Sequence, residues 1–253
     1  GRRYLPSASC RFDYLQMGRF DFREFSIDDG GCGMKLGTDS VLLGAWFFRE
    51  HTQARSVLDI GAGSGILSLM AAQLCPAAGI TGVEIDSAAA SAAGANFQAS
   101  PWASRLEVVN ADINTFGSTG AYQLIVSNPP YYSNGAVSTD DSRAGARHQN
   151  SLTFGNLLEA VGRLIAADGC FAMVTPPDAE ADILFAAELS RLYLRRLCRV
   201  ATTPARPCRR LLWEFSRSAP GRVSEQTLLL RDASGQPSRE YSSLVDGFYL
   251  RIH

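Results

Sequence analysis

A glycine-rich stretch follows an apolar run near residue 60, and it constrains the fold more than any other feature of the chain. Residues 57–65 read Val-Leu-Asp-Ile-Gly-Ala-Gly-Ser-Gly, and a helical pattern, Ile-Leu-Ser-Leu-Met, follows directly. Glycines between a strand and a helix let the backbone approach a ligand where side chains would clash. The stretch therefore predicts the first strand, turn and helix of a nucleotide-binding α/β sheet, although three spaced glycines alone would also suit a plain tight turn.

Strand-like and helical patterns alternate from residue 55 to about residue 217, which is typical of a doubly wound parallel sheet. Seven strands are predicted, at residues 56–60, 79–84, 106–110, 123–127, 170–175, 193–201 and 211–216. Helices are predicted between them at residues 65–75, 87–100, 154–167 and 178–191. The predicted fold class is therefore α/β and Rossmann-like, a seven-stranded, mostly parallel sheet with helices on both faces.

The two flanks of this core are predicted to be additions to it and not separate domains. Residues 1–54 are predicted to hold a hairpin, residues 20–27 followed by 34–36, and a helix at 38–49 that Thr38 or Asp39 caps. Residues 219–253 are predicted to hold a strand at 227–231, a turn at 232–235 and a helix at 238–249. We therefore expect one domain, residues 1–253, with its core at residues 55–218.

The composition argues against several classes of protein. The longest strongly apolar run, residues 41–48, is far shorter than the roughly 20 residues of a membrane span. No secretory signal pattern opens the chain, so a cytoplasmic protein is expected. Six scattered cysteines without a C-x-x-C pair, and only three histidines, argue against a disulfide scaffold and against a bound metal. With a net charge of −1, a polyanionic partner would have to bind a local basic patch.

Carboxylates accompany the first two strands. Asp59 lies just before the glycines, and Glu84 ends the second strand, where a carboxylate can accept hydrogen bonds from both hydroxyls of a ribose. A dehydrogenase is an alternative, but its fingerprint is G-x-G-x-x-G, whereas the order here is D-x-G-x-G-x-G. Asp59 would bring a negative charge to the turn, which suits a ligand that carries an ammonium group better than a pyrophosphate.

These residues resemble the S-adenosylmethionine site of class I methyltransferases. The resemblance implies that the acid and glycines of the first turn hold the methionine part of the cofactor: Asp59, Gly61, Gly63 and Gly65. It also implies that Glu84 holds the ribose and that Asp112, which follows the third strand, meets the adenine amine. Taken alone, Asp112 would equally suit a turn or a cap.

The sequence Ser-Asn-Pro-Pro-Tyr-Tyr, residues 127–132, follows the fourth strand, beside the point where open α/β sheets bind ligands. The two prolines stiffen the backbone, and the first of them biases Asn128 to an extended conformation. The Asn128 side-chain oxygen and the Pro129 carbonyl can accept both N–H groups of a planar amine and aim its lone pair at a sulfonium methyl. Tyr131 can stack on a flat acceptor. Tyr132 either lines the same opening or packs behind the loop.

This stretch resembles the N-P-P-[YF] motif of amino-methyltransferases, which adenine-N6, guanine-N2 and glutamine-N5 enzymes share. With Met-Lys-Leu-Gly-Thr-Asp-Ser at residues 34–40 and Ser-Pro-Trp-Ala at 100–103, most of the chain resembles the bacterial methyltransferases of adenine-37 in valine tRNA. The resemblance implies methyl transfer from S-adenosylmethionine to the N6 amine of a tRNA adenine. The residues that it implies as catalytic are Asn128, Pro129 and Tyr131, and those that it places against the cofactor are Lys35, Thr38, Asp39 and Asn128.

Two alternatives to this function stay open. The first is methylation of another planar amine, in ribosomal RNA, in DNA or on a glutamine of a release factor. Release-factor enzymes usually carry a separate helical domain before the core, whereas only about 55 residues precede the core here, so a nucleic-acid substrate is favoured. The second alternative is a non-catalytic RNA-binding module.

Two basic stretches are candidate RNA contacts. Arg143 and Arg147, within residues 140–150, could belong to a lid over a target base that has been splayed from its loop. Arg209 and Arg210, between the last two core strands, could contact phosphates. Solvated surface charge is the alternative for both pairs.

Overall fold

The computed structural model describes residues 18–28, 37–117, 121–130 and 152–250. The strands within these ranges are β1 (Arg19–Asp21), β2 (Ser26–Asp28), β3 (Ser56–Ile60), β4 (Gly79–Glu84), β5 (Leu106–Asn110), β6 (Tyr122–Ser127), β7 (Ile165–Thr175), β8 (Tyr193–Ala201), β9 (Cys208–Ser216) and β10 (Ser224–Leu229). The α-helices are α1 (Thr38–Phe48), α2 (Ile66–Leu74), α3 (Ser87–Ala99), α4 (Phe154–Leu164), α5 (Glu180–Leu189) and α6 (Arg239–Val245). None of the described helices has the length and hydropathy that a membrane crossing requires.

The central sheet has eight strands in the order β10-β8-β9-β7-β6-β3-β4-β5. Strand β9 is antiparallel to both of its neighbours, and the other pairs are parallel. The prediction of seven strands was wrong by one, because β10 pairs in parallel with β8 and extends the sheet. The sequence pattern does indicate a strand near this position, but the alternation within a strand does not encode its pairing partner.

The central strands direct alternate side chains into two hydrophobic layers, as the two-residue period of a strand requires. Val57 packs in one layer, which contains α1, α2, α3 and α6, and Leu58 packs in the other, which contains α4 and α5. Ala172 and Phe171 of β7 divide between the layers in the same way. The sheet therefore has helices on both faces, as predicted, and Asp59 points to the same face as Val57, beneath α2.

Three local predictions were wrong. Residues 20–27 do not form one arm of a hairpin: β1 and β2 pair with each other, and Phe22 N donates to Phe25 O (2.8 Å) across the turn. The proposed second arm, residues 34–36, lies outside the described residues. Gly37, and not Thr38 or Asp39, is the N-cap of α1, and no side chain accepts a capping hydrogen bond there. Strand β7 begins at Ile165, because it already pairs with Tyr122 of β6 there, where the sequence predicts the end of a helix.

Candidate active site

The candidate residues gather at one edge of the sheet. Strands β6, β3, β4 and β5 are adjacent and parallel, so their carboxyl ends meet at this edge. Gly61 follows β3, Glu84 ends β4, Asp112 follows β5 and Asn128 follows β6. The fold thus brings these four positions to the place where open α/β sheets bind ligands.

The glycine turn depends on backbone conformations that other residues rarely adopt. Gly61, Gly63 and Gly65 have φ values of 71°, 56° and 87°. The turn folds over the end of β4, since the backbone N–H groups of Gly61 and Ala62 both donate to Val83 O, at 2.8 and 3.1 Å. At Gly65 there is also no room for a side chain, because a Cβ there would lie 2.4 Å from the ring of Phe97.

Glu84 is buried, and backbone donors hold both oxygens of its carboxylate. Its Oε2 accepts from Gly63 N and its Oε1 accepts from Asp86 N, each at 2.9 Å. Asn110 supports the same strand end by donating its amide to the carbonyls of Glu84 and Ile85, at 2.8 and 3.0 Å. The carboxylate is therefore fixed against the glycine turn before any ligand binds, which is the preorganisation expected of a binding group.

Asp59 is fully buried beneath α2. Its Oδ2 accepts from both the backbone N–H (3.0 Å) and the hydroxyl (2.7 Å) of Ser68. Burial raises the pKa of Asp59 to about 7, against the lowering effect of the Ser68 bonds, and the charge of Glu84 adds to the rise. Its Oδ1 has no hydrogen-bond partner among the described residues. A buried acceptor without a donor is costly, so this oxygen favours a ligand that brings an N–H group.

The side chain of Asn128 is oriented from the opposite side by α1. Its Nδ2 donates to Ser40 Oγ at 2.9 Å, and Ser40 is buried in the first turn of that helix. The preceding residue, Ser127, donates its hydroxyl to Ile60 O at 2.8 Å and so holds the end of β6 against β3. In this orientation the amide nitrogen points to α1. The sequence interpretation missed Ser40, although it directly follows the Thr-Asp pair that was assigned to the pocket.

Asp112 and Ile85 lie at the β4–β5 end of the site. Asp112 Oδ1 accepts from the backbone and side-chain N–H groups of Asn114, at 2.9 and 2.8 Å, so the residue builds the turn after β5. Ile85, next to Glu84, is 53% exposed although it is a large apolar residue. It offers an apolar surface for a flat ring. The sequence interpretation missed it, and the available signal was an apolar residue directly after a strand-ending acid.

The remaining candidates divide between described and undescribed parts of the chain. Asp39 forms an ion pair with Arg210, from Oδ2 to Nε at 2.7 Å, while Thr38 and Arg209 are exposed. Pro129 is buried. The other candidate residues lie outside the described ranges: Lys35, Tyr131, Tyr132, Arg143 and Arg147.

A second cluster of titratable groups, away from this edge, consists of His51, Cys170 and Glu214, whose potential ligand atoms all lie within 4.8 Å of one another. Two guanidinium groups already contact the buried Glu214 carboxylate: Arg196 Nε at 2.6 Å and Arg195 Nε at 3.4 Å. Burial raises the pKa of the Cys170 thiol to about 11. These charges oppose a cation, so the cluster acts as an ion network that links the end of α1 to the sheet.

The sequence is similar to that of known enzymes over most of its length. The model of the methyltransferase small domain matches residues 35–165. A tRNA1(Val) (adenine(37)-N6)-methyltransferase of Photobacterium profundum is 38% identical over 238 residues, which are 92% of this chain and 98% of the relative. A relative of the same name from Shewanella woodyi is 39% identical over 245 residues, 92% of this chain and 99% of the relative.

Two solved methyltransferases have a similar fold. A predicted O-methyltransferase from Agrobacterium tumefaciens superposes with a TM-score of 0.68 over 83% of this chain and 96% of its own, at 18% identity. A geranyl diphosphate methyltransferase, solved with geranyl diphosphate and sinefungin, gives a TM-score of 0.52 over 69% of this chain and 77% of its own, at 11% identity. These likenesses confirm the predicted Rossmann-like fold.

Proposed function

The chain belongs to the methyltransferase small-domain family and, within it, to the bacterial tRNA1(Val) (adenine(37)-N6)-methyltransferases, and we propose that it methylates the N6 amine of adenine-37 in valine tRNA. The observation that carries this proposal is the position of Asn128 and Pro129. They follow β6, and the glycine turn follows the neighbouring strand β3. An amine held by Asn128 and Pro129 therefore lies next to a cofactor held by the glycine turn. The protein would act in the cytoplasm, on tRNA.

The cofactor is S-adenosylmethionine, and the residues at the sheet edge fit it. The buried Asp59 Oδ1, which lacks a donor among the described residues, suits the methionine ammonium group. The Glu84 carboxylate suits the ribose hydroxyls, and Ile85 and Asp112 suit the adenine ring and its amine. Lys35, Thr38 and Asp39 complete the proposed pocket. When bound, the cofactor supplies an electrophilic methyl group on a sulfonium.

The chain's own part in the reaction is to position the acceptor amine. The lone pair of an adenine N6 is delocalised into the ring, so the amine is a poor nucleophile. The Asn128 side-chain oxygen and the Pro129 carbonyl accept its two N–H groups, which favours a pyramidal nitrogen with its lone pair directed at the methyl group. Tyr131 stacks on the base. The amine nitrogen would form a bond to the methyl carbon as the bond between that carbon and the sulfonium sulfur breaks, and the sulfur would keep the electron pair and leave as a neutral thioether. The nitrogen would then lose one proton to water, so the reaction does not require a general base with a shifted pKa.

The RNA would bind across the same edge of the sheet. Because β9 is antiparallel to β7, the start of β9 lies at the edge where β7 and β6 end. Arg206, in the loop between β8 and β9, and Arg209, near the start of β9, are both exposed at this edge. We assign Arg209 to phosphate contact, and Tyr132, Arg143 and Arg147 to the surroundings of the splayed base.

The test is to incubate the protein with labelled S-adenosylmethionine and with unmodified tRNA, ribosomal RNA, DNA or release factor, and to identify the methylated product after digestion. We expect N6-methyladenosine at position 37 of valine tRNA. Methylglutamine or a methylated DNA base as the main product would refute the proposal. Absence of turnover with every substrate, together with retained tRNA binding, would favour a binding module.

Variants of Asn128 test the assigned chemistry. Asn128→Ala should lower kcat by about 100- to 1,000-fold, the usual effect of removing one preorganised hydrogen-bonding group, while calorimetry shows that the cofactor still binds. Asn128→Asp is the matched control. It keeps a side-chain acceptor for the amine but loses the donor to Ser40, so its kcat should lie between those of the wild type and the alanine variant. Equal kcat values for all three proteins would refute the role of Asn128.

A further inference from the structure

The first turn of α1 contacts two distant parts of the chain through adjacent residues. Asp39 Oδ2 accepts from Arg210 Nε of β9 at 2.7 Å. The next residue, Ser40, accepts through its hydroxyl from Asn128 Nδ2 at 2.9 Å. The ion pair and the hydrogen bond that orients the proposed catalytic amide therefore meet in one turn of helix.

The ion pair between Asp39 and Arg210 is partly buried and is held in place by neighbouring groups. The side chains of Arg210 and Asp39 are only 31% and 25% exposed, so water screens the pair less than it screens a surface pair. Arg210 is held further by its own strand, because its Nη1 donates to Arg209 O at 2.8 Å. Gly37, the N-cap of α1, provides no side-chain cap. The pair thus anchors a helix end that lacks a side-chain cap.

We propose that Arg210 is a positioning residue for methyl transfer, and not the phosphate contact that the sequence suggests. By pairing with Asp39 it holds the first turn of α1, and Ser40 in that turn holds the Asn128 carboxamide so that the side-chain oxygen faces the acceptor amine. A misplacement of about 1 Å from a change outside the chemistry can cost roughly 100-fold in rate. The inference rests on the proposed function, since it assigns a role in that reaction.

The first experiment compares Arg210→Gln with the matched variant Arg209→Gln. Steady-state kinetics on valine tRNA should show kcat lowered about tenfold to 100-fold by Arg210→Gln, with a log–log salt slope of tRNA binding equal to that of the wild type. Arg209→Gln should instead weaken tRNA binding and reduce the slope by about 0.7 to 0.9, as expected for one lost phosphate contact. A reduced slope with unchanged kcat in Arg210→Gln would overturn the proposal.

The second experiment is a double-mutant cycle with Asp39→Asn. If the two residues act as one pair, the double variant should have a kcat no lower than that of the slower of the two single variants. Arg210→Lys, which keeps a positive charge for Asp39, should recover part of kcat. Thermal unfolding of each variant is the control for a merely structural role. Multiplicative losses of kcat, or losses that follow the unfolded fraction, would overturn the proposal.

Different results would refute the proposed function and the positioning role of Arg210. A wild-type protein that methylates no tRNA adenine refutes the proposed function. A wild-type protein that does so, but whose Asp39 and Arg210 variants behave independently, refutes only the positioning role of Arg210.

Discussion

Replacing Gly65 by alanine should destabilise the protein more than the same replacement at Gly61. Both glycines have positive φ values, +87° and +71°, so each alanine variant pays for a left-handed backbone, roughly 1–2 kcal/mol. Only at Gly65 does the new Cβ meet a neighbour: it would lie 2.4 Å from the Phe97 ring, whereas at Gly61 nothing lies within 4 Å. Phe97 is fully buried, so its ring has little freedom to move away.

The steric clash adds an overpacking cost of typically about 1–3 kcal/mol to the conformational cost. We therefore expect the free energy of unfolding to fall by about 2–5 kcal/mol in Gly65→Ala, and by about 1–2 kcal/mol in Gly61→Ala. Urea unfolding of the cofactor-free proteins measures both values, provided that the slopes against urea concentration agree.

A third protein separates the two costs at Gly65. In the double variant Gly65→Ala with Phe97→Leu, the smaller side chain removes the ring that the Cβ would meet. The alanine substitution should then cost only its conformational part, about as much as at Gly61. Equal losses at Gly61 and Gly65, or no recovery in the Phe97→Leu background, would refute the reasoning from the clash.

Three further predictions concern the charged and exposed groups. Burial raises the pKa of Asp59 from 3.8 to about 7, so between these pH values the protein takes up a proton when it folds. The free energy of unfolding of the cofactor-free protein should therefore fall as the pH rises from about 4 to 7. Urea unfolding at pH 5 and at pH 8 measures this fall, and Asp59→Asn should remove it. A variant with the same pH dependence as the wild type would contradict the assignment of the fall to Asp59. Burial alone would raise the pKa of Glu214, but its contacts with His51 and Arg196 hold this pKa below its ordinary value of 4.5. The Glu214 carboxylate is therefore charged and stabilising above pH 4.5, and this stabilisation is lost as the pH falls through the lowered pKa. Glu214→Gln should lower the free energy of unfolding by about 3–5 kcal/mol at pH 7, and the difference from the wild type should narrow as the pH falls below 4.5 in the same assay. A difference that does not change with pH would argue against the ion network. Ile85→Ser should weaken cofactor binding in calorimetry about tenfold, with little change in the free energy of unfolding because Ile85 is already 53% exposed. The control variant Val223→Ser, at an exposed residue away from the site, should bind the cofactor as the wild type does. Equal binding by both variants would show that Ile85 does not contact the cofactor.

Several parts of the fold could be predicted because their signals are local. Strands β3 and β4 have the bounds that the sequence predicts, residues 56–60 and 79–84, because each is a short apolar run bounded by turn residues. The spacing of Gly61, Gly63 and Gly65 indicates a turn of left-handed residues, since glycine alone adopts such conformations at no steric cost. The boundaries were harder. Strand β7 begins where a helix was expected, because pairing with β6 outweighs the local pattern.

By itself, the sequence determined the order of strands and helices, the glycine turn and the series of polar residues at successive strand ends, because each depends on residues close together in the chain. Only the tertiary structure decided which distant groups meet. Ser40 and Asn128 are 88 positions apart, and Asp39 and Arg210 are 171 apart. Neither pair has a local signal, since each contact exists only once β6, β7 and β9 lie side by side under α1. For this reason an arginine that looked like a phosphate contact was found in an ion pair with the helix that holds Asn128.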